Sequence, residues 1–184
     1  MSIVTVVGNP RTGSRTYAVA VQAARAVAGR LGDEWSGREA EEEVVDLSVL
    51  APWLLSPQAS PEVEAALDLV RRADVLVVAS PTYKGTYTGL LKVFLDRLPG
   101  GALASVVALP LLVLGDARHA LAVEVHLRPL LVELGASVPT PGLAVVESQI
   151  PALDEVLGPW ADRVAPQVRA ALTAKGSVDA VTRA

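Results

Sequence analysis

Apolar, β-branched runs recur along this chain with helix-favouring stretches between them, and that alternation leaves few architectures open. IVTVV (3–7) is a continuous run suited to a central strand buried on both faces. DVLVVAS (74–80) and SVVALPLLVLG (105–115) repeat it, EVVDL (43–47) is a shorter version, and a weak fifth run falls at 143–146. Between them, residues 14–31 are Ala-rich with Ser14 placed as an N-cap. Ser60-Pro61 before EVEAALDLVRR reads as a cap and first helical turn. LLKVFLDRL (90–98), about 118–134 and about 153–174 read as further helices, APWLLSPQASP as a Pro-punctuated connection, and residues 175–184 as a frayed tail. Pro110 removes one ladder donor from the fourth strand, which predicts a bulge or irregular pairing there. Strands alternating with helices predict an α/β fold, a doubly wound, five-stranded parallel sheet between two helical layers. The chain is 51% hydrophobic but only 4% aromatic, so its core must be built mainly from Ala, Val and Leu, which suits helices on such a sheet.

Several functional classes drop out on composition. The absence of cysteine removes disulfides, thiolate catalysis and cysteine-held metal. A formal net charge of -4 gives no general pull toward nucleic acid or anionic membrane. Pro110, Gly115 and Asp116 interrupt the longest apolar run, and the N-terminus enters a strand without a leader pattern. The expectation is a cytoplasmic protein.

Ligands of doubly wound sheets bind outside the carboxyl ends of the strands. Three loops follow strands at that edge: 8–16, 81–89 and 115–119. The first, GNPRTGSRT, packs two arginines and three hydroxyl side chains into a turn that opens a helix. Unpaired backbone N–H groups, the positive end of the helix dipole and two guanidinium groups suit a phosphate monoester. The loop is not a P-loop, because Ser14-Arg15 stands where Lys-Ser/Thr is needed. Nor does it match GxGxxG, since Asn9-Pro10 follows Gly8. The competing reading is a tight turn with ordinary capping. The second loop, PTYKGTYTG, holds two of the three tyrosines, a platform for a planar ligand. An ordinary Pro-Gly loop over half-buried tyrosines is the alternative. Taken together, the two loops point to a mononucleotide such as FMN rather than ATP.

On these residues the chain resembles the NAD(P)H-dependent FMN reductases of flavodoxin-like fold, in particular those supplying reduced flavin to two-component monooxygenases, sulfonate systems included. The resemblance covers roughly residues 2 to 150 and rests on GNPRTGSRT, on SPTYKGTYTGLLKVFLDRLP and on HALAVEVHLRPLLVELGA. It implies a single flavodoxin-like domain over 1–174. Asn9, Arg11, Ser14, Arg15 and Thr16 would surround the FMN phosphate, and Pro81, Thr82, Tyr83 and Lys84 would line the ring. Gly115 would lie under the other side, with Asp116 at that edge. Two positions depart from the family pattern: Asn9 stands where Ser is common, and Leu114-Gly115-Asp116 where a Gly-Gly pair is usual.

The same resemblance implies that FMN carries the redox chemistry, with NADPH or NADH as hydride donor, so no acid, base or nucleophile is required of the protein. A flavin-dependent monooxygenase is the implied partner and a homo-oligomer, dimer or tetramer, the implied assembly. The alternatives are an FMN-bound quinone, azo or metal-ion reductase and, further off, a flavodoxin-type electron carrier. Pro129 lies inside an otherwise helical run and cannot donate to the carbonyl of Val125, which predicts a widened π-type turn there. His126 falls in that stretch as a candidate modulator of flavin exchange or assembly, whereas His119 reads as an ordinary first-turn residue.

Overall fold

The computed structural model describes residues 1–32, 41–56, 58 and 60–182. Five parallel strands form one sheet: β1 (Ser2–Val7), β2 (Glu41–Asp46), β3 (Val75–Pro81), β4 (Val107–Leu114) and β5 (Leu143–Val146). Their spatial order is β2-β1-β3-β4-β5, the flavodoxin-like order, with its switch point between β1 and β3. Every residue of β3 and β4 is buried, as the uninterrupted apolar runs predict. Successive residues of β1 serve opposite layers. Ile3 and Val7 join α1 (Arg15–Leu31) and α6 (Leu153–Thr182) on one face. On the other, Val4 and Val6 join α2 (Leu47–Leu54), α3 (Pro61–Arg72), α4 (Gly89–Leu95) and α5 (Arg128–Glu133). The result is the expected α/β three-layer sandwich.

Local signals set most helix starts. The Ser14 hydroxyl accepts from Tyr17 N at 3.2 Å, and that of Ser60 from Val63 N at 3.4 Å with Pro61 in the first turn. The helix α2 replaces what reads as a Pro-punctuated connection. Asp46 caps it by accepting from Ser48 N at 3.0 Å, and Leu47, Leu50 and Leu54 form the i, i+3, i+7 stripe that Pro52 disguises. Residues 57 and 59 of that connection lie outside the described residues.

The irregularity expected at Pro110 falls on one side of the strand only: pairing toward β5 breaks between Val107↔Ser137 and Leu111↔Leu143, while the side toward β3 is regular. β4 pairs with β3 in unbroken register from Val75↔Val107 to Pro81↔Val113. Ala108 N donates to the Ser137 carbonyl at 2.8 Å, so even-numbered residues of this stretch turn their amides toward the β5 side. Pairing with β5 starts only at Leu111↔Leu143. The missing donor of Pro110 thus faces the 138–142 segment that has left the sheet edge, and no ladder bond is lost.

Pro129 has the predicted consequence. Val123–Leu127 forms a π-helical turn, and Arg128 N donates to the carbonyl of Val123, five residues back. Glu124 and Arg128 are ion-paired across this turn. Arg128 also donates to the carbonyls of Val138 (2.7 Å) and Thr140, while Glu124 Oε1 accepts from Gly142 N at 2.6 Å. The Arg128 guanidinium, followed by the Gly142 amide, holds the Glu124 carboxyl below its ordinary pKa. A Cβ at Gly142 would lie 2.5 Å from a Val123 methyl, so this approach requires glycine. The helical turn ahead of it is a short 3₁₀ turn at Ala117–His119.

α6 continues to Thr182, past the end expected at Ala174. Lys175 approaches Asp74 at 3.6 Å, an ion pair that holds the helix to the start of β3. Of the expected tail, residues 183 and 184 lie outside the described residues. Among the described residues no helix is long and apolar enough to cross a membrane, and no group of His, Cys, Asp or Glu is spaced to hold a metal ion.

Candidate functional site

A cleft of about 460 Å³ opens at the carboxyl edge of the sheet, beside the switch point. Residues 11–16 form one wall, Pro81 and Tyr83 a second, and Glu147, in the turn after β5, a third; Asn9 completes the lining. A cleft of about 500 Å³ also runs along β2 between α2 and α3, but Val44, Val45, Val49, Leu50 and Leu69 make it largely apolar. Unlike it, the first combines a helix N-terminus with two arginines.

The 8–16 loop is held from beneath by a division of labour among its polar residues. Gly8 N donates to the Ala79 carbonyl at 2.8 Å, extending the strand pairing by one residue. Asn9 Oδ1 accepts from Arg11 N at 2.9 Å, which folds an Asx turn, and its Nδ2 donates to Thr16 Oγ1 at 3.1 Å. Asn9 and Thr16 are both buried, so they line the floor of the cleft while shaping the loop. Gly13 adopts φ 62°, the left-handed turn that brings the chain into α1. Thr12 Oγ1 lies 2.9 Å from Ser48 Oγ on α2. Facing the cleft are the amides at the start of α1, the Ser14 hydroxyl, whose hydrogen is free to donate, and the exposed arginines 11 and 15. Arg15 Nη1 contacts Glu147 Oε2 at 2.8 Å.

The second loop is locked to the first. Thr88 Oγ1 donates to the Gly8 carbonyl and accepts from Leu91 N at 3.2 Å, capping α4; Thr88 N in turn donates to Ser80 Oγ at 3.0 Å. Thr82 N donates to the Val113 carbonyl at 2.9 Å, continuing the sheet. Tyr83 and Thr86 then close a two-residue hairpin turn in which Lys84 (φ 55°) and Gly85 (φ 82°) are both left-handed, the I′ pattern. This turn presents the Tyr83 ring, 46% exposed, to the cleft.

The structure gathers Asn9, Arg11, Ser14, Arg15, Thr16, Pro81 and Tyr83 around one cleft. Thr82, Lys84, Gly115 and Asp116 are not among its lining residues. The Asp116 carboxylate is engaged in its own loop, accepting from Arg118 N (2.8 Å) and from the Arg118 guanidinium (2.8 and 3.0 Å). These bonds lower its pKa from 3.8 to about 2. A folded pKa below the unfolded one means that the stabilisation is present above pH 4 and is lost as pH falls toward 2. Carboxyl NMR titration should find Asp116 well below 3.8, and Arg118→Ala should return it toward that value. His119, exposed, sits where a Cβ on Gly85 would be 3.9 Å from its ring, and His126 lies exposed on the π turn. Sequence reasoning does not single out Thr12, Gly13 or Glu147. The first two lie within the loop already marked, and Glu147 is signalled only by standing directly after the weakest strand run.

Residues 1–150 match the model of the NADPH-dependent FMN reductases. The chain belongs to that family. The FMN reductase (NADPH) of Escherichia coli K12 is 34% identical over 152 residues, 82% of this chain and 75% of that protein. The NADH-dependent FMN reductase SfnF of Pseudomonas fluorescens Pf0-1 is 40% identical over 94 residues, 49% of this chain and half (50%) of its own length. Among solved structures, the apo form of the NADH:FMN oxidoreductase EMOB is 34% identical with a TM-score of 0.73, covering 95% of this chain and 87% of that one. In an FMN reductase, the agreement of anion donors on one wall with an aromatic ring on the next has a direct chemical use. A phosphate monoester and a planar ring are the two ends of FMN.

Proposed function

We propose that this cleft is the FMN site of an NAD(P)H-dependent FMN reductase. In this assignment the start of α1, Arg11, Ser14 and Arg15 hold the phosphate, with Asn9 and Thr16 shaping the loop. The ring lies beside Pro81, Thr82, Tyr83 and Lys84 and is bounded by Gly115 and Asp116. The observation that carries the proposal is the convergence of two exposed guanidinium groups and a helix N-terminus on a cleft whose adjoining wall is Tyr83. When bound, FMN supplies the redox chemistry, accepting a hydride from the nicotinamide. The protein binds the phosphate, presents the ring and leaves one side open for a nicotinamide to reach it.

The test is NADPH and NADH oxidation by the purified protein, with and without added FMN, after recording its visible spectrum. The expected result is an oxidation rate that rises and saturates with added FMN. A yellow protein that oxidises the nucleotide only when a quinone is supplied would favour a reductase with bound FMN and another acceptor. Reduced FMN released from such a cleft would serve a flavin-dependent monooxygenase, in the cytoplasm where NAD(P)H is drawn upon. The role of a second copy rests on the helical stretch around the π turn, where Leu121, Val125 and Val132 are 66%, 50% and 54% exposed. Their clustering beside His126 and Pro129 favours burial against another copy of this chain. A Val125→Glu variant is therefore expected to lower the oligomeric state measured by light scattering while leaving the circular dichroism unchanged.

A further inference from the structure

We infer that Glu147 sets the affinity for FMN, acting as a built-in anion that competes with the flavin phosphate for Arg15. The inference rests on the assignment of the phosphate to the 8–16 loop. Glu147 is the carboxylate among the residues lining the cleft, opposite two arginines and the hydroxyl and amide donors of the loop. It is brought there by the fold: β5 ends at Val146, and Glu147 opens the 3₁₀ turn Glu147–Ala152, at the same sheet edge as the start of α1. Its Oε2 is 2.8 Å from Nη1 of Arg15, the first residue of α1. The carboxylate therefore stands near the positive end of the helix dipole, where any anion is favoured.

Both partners remain accessible, Arg15 66% and Glu147 41% exposed. An exposed pair of this kind is weak enough to exchange partners. A phosphate arriving at the loop must either draw the guanidinium away from Glu147 or share it. In both cases a negative carboxylate remains close to a second, more highly charged anion. Repulsion between the two and the loss of the Arg15 contact both subtract from FMN binding, while binding through the ring is unaffected. Glu147 thereby weakens the hold on the phosphorylated flavin and speeds its release, which suits a protein that must exchange FMN at each turnover.

The experiment compares FMN with riboflavin, which has the same ring without the phosphate, by fluorescence titration of the wild type and of Glu147→Gln, Arg15→Ala and the double variant. Glu147→Gln retains a hydrogen-bonding side chain of the same shape and removes the charge. The expected result is FMN binding tightened by about three- to tenfold, riboflavin binding unchanged, and a smaller gain when Arg15 is already alanine, where only the repulsion is left to relieve. The gain should also shrink as salt is raised. FMN affinity that is unchanged or reduced in Glu147→Gln, or riboflavin affinity that rises equally, would overturn the role of Glu147 while leaving the phosphate site standing. Equal affinity of the wild type for FMN and riboflavin would instead remove the phosphate assignment itself, and this inference with it.

Discussion

With Arg11→Ala and Arg15→Ala combined, FMN is expected to bind little more tightly than riboflavin. Each arginine can make a charge-assisted contact to the phosphate, worth about 1.5–3 kcal/mol, or roughly 10- to 150-fold in affinity. Arg15 should give the smaller effect of the two, because its guanidinium is already engaged by Glu147 and that contact is surrendered on binding. The amides at the start of α1 and the Ser14 hydroxyl remain in the double variant, so a residue of phosphate preference should persist. Both arginines are exposed, and the loop beneath them is held by Asn9, Thr16 and Gly8. The double variant should therefore unfold at nearly the wild-type temperature, which separates a binding loss from a folding loss. An FMN-to-riboflavin affinity ratio equal to the wild type's would place the phosphate elsewhere.

Gly8→Ala is expected to cost about 1–3 kcal/mol of stability and to damage the flavin site at the same time. A methyl group on Gly8 would lie 2.6 Å from Leu91 Cβ. The encroached atom is the root of a fully buried side chain on α4, so a rotamer change cannot move it away. Either the end of β1 or α4 must shift. The Gly8 carbonyl is also the acceptor for Thr88, and Thr88 caps α4 and bonds Ser80, so a displacement there propagates to both binding loops. Urea unfolding should show a lower midpoint with an unchanged slope. FMN affinity should fall although no ligand-facing side chain has been altered. Unchanged stability would mean that the end of β1 relaxes far more freely than the two loops' shared hydrogen bonds allow.

Much of the architecture was legible because its causes are local. Five apolar runs became five strands, Ser14 and Ser60 cap the helices they precede, and Pro129 forces the π turn that one missing donor predicts. A cap, a strand run or a proline acts within a few residues of itself, so its signature is written in adjacent letters. The places left open or misread depend on what lies alongside. Pro110 signals irregular pairing without saying on which side of its strand, and only the sheet shows that the break falls toward β5 while the register with β3 stays whole. The prolines flanking and interrupting α2 hide its stripe of leucines until a sheet face is there to bury them.

The candidate site divides in the same way. Sequence by itself determined that an anion-seeking loop and a tyrosine-bearing loop would share one edge of a parallel sheet, because strand polarity puts every strand-to-helix loop there. The tertiary structure alone decided the roles within that edge. Asn9 and Thr16 turn inward to brace the loop, Asp116 is occupied by Arg118, and Glu147 arrives from 132 residues away to meet Arg15. These outcomes depend on distances between side chains carried by different elements, and such distances exist only once the sheet has set the spacing of its strands and the helices have docked on its two faces.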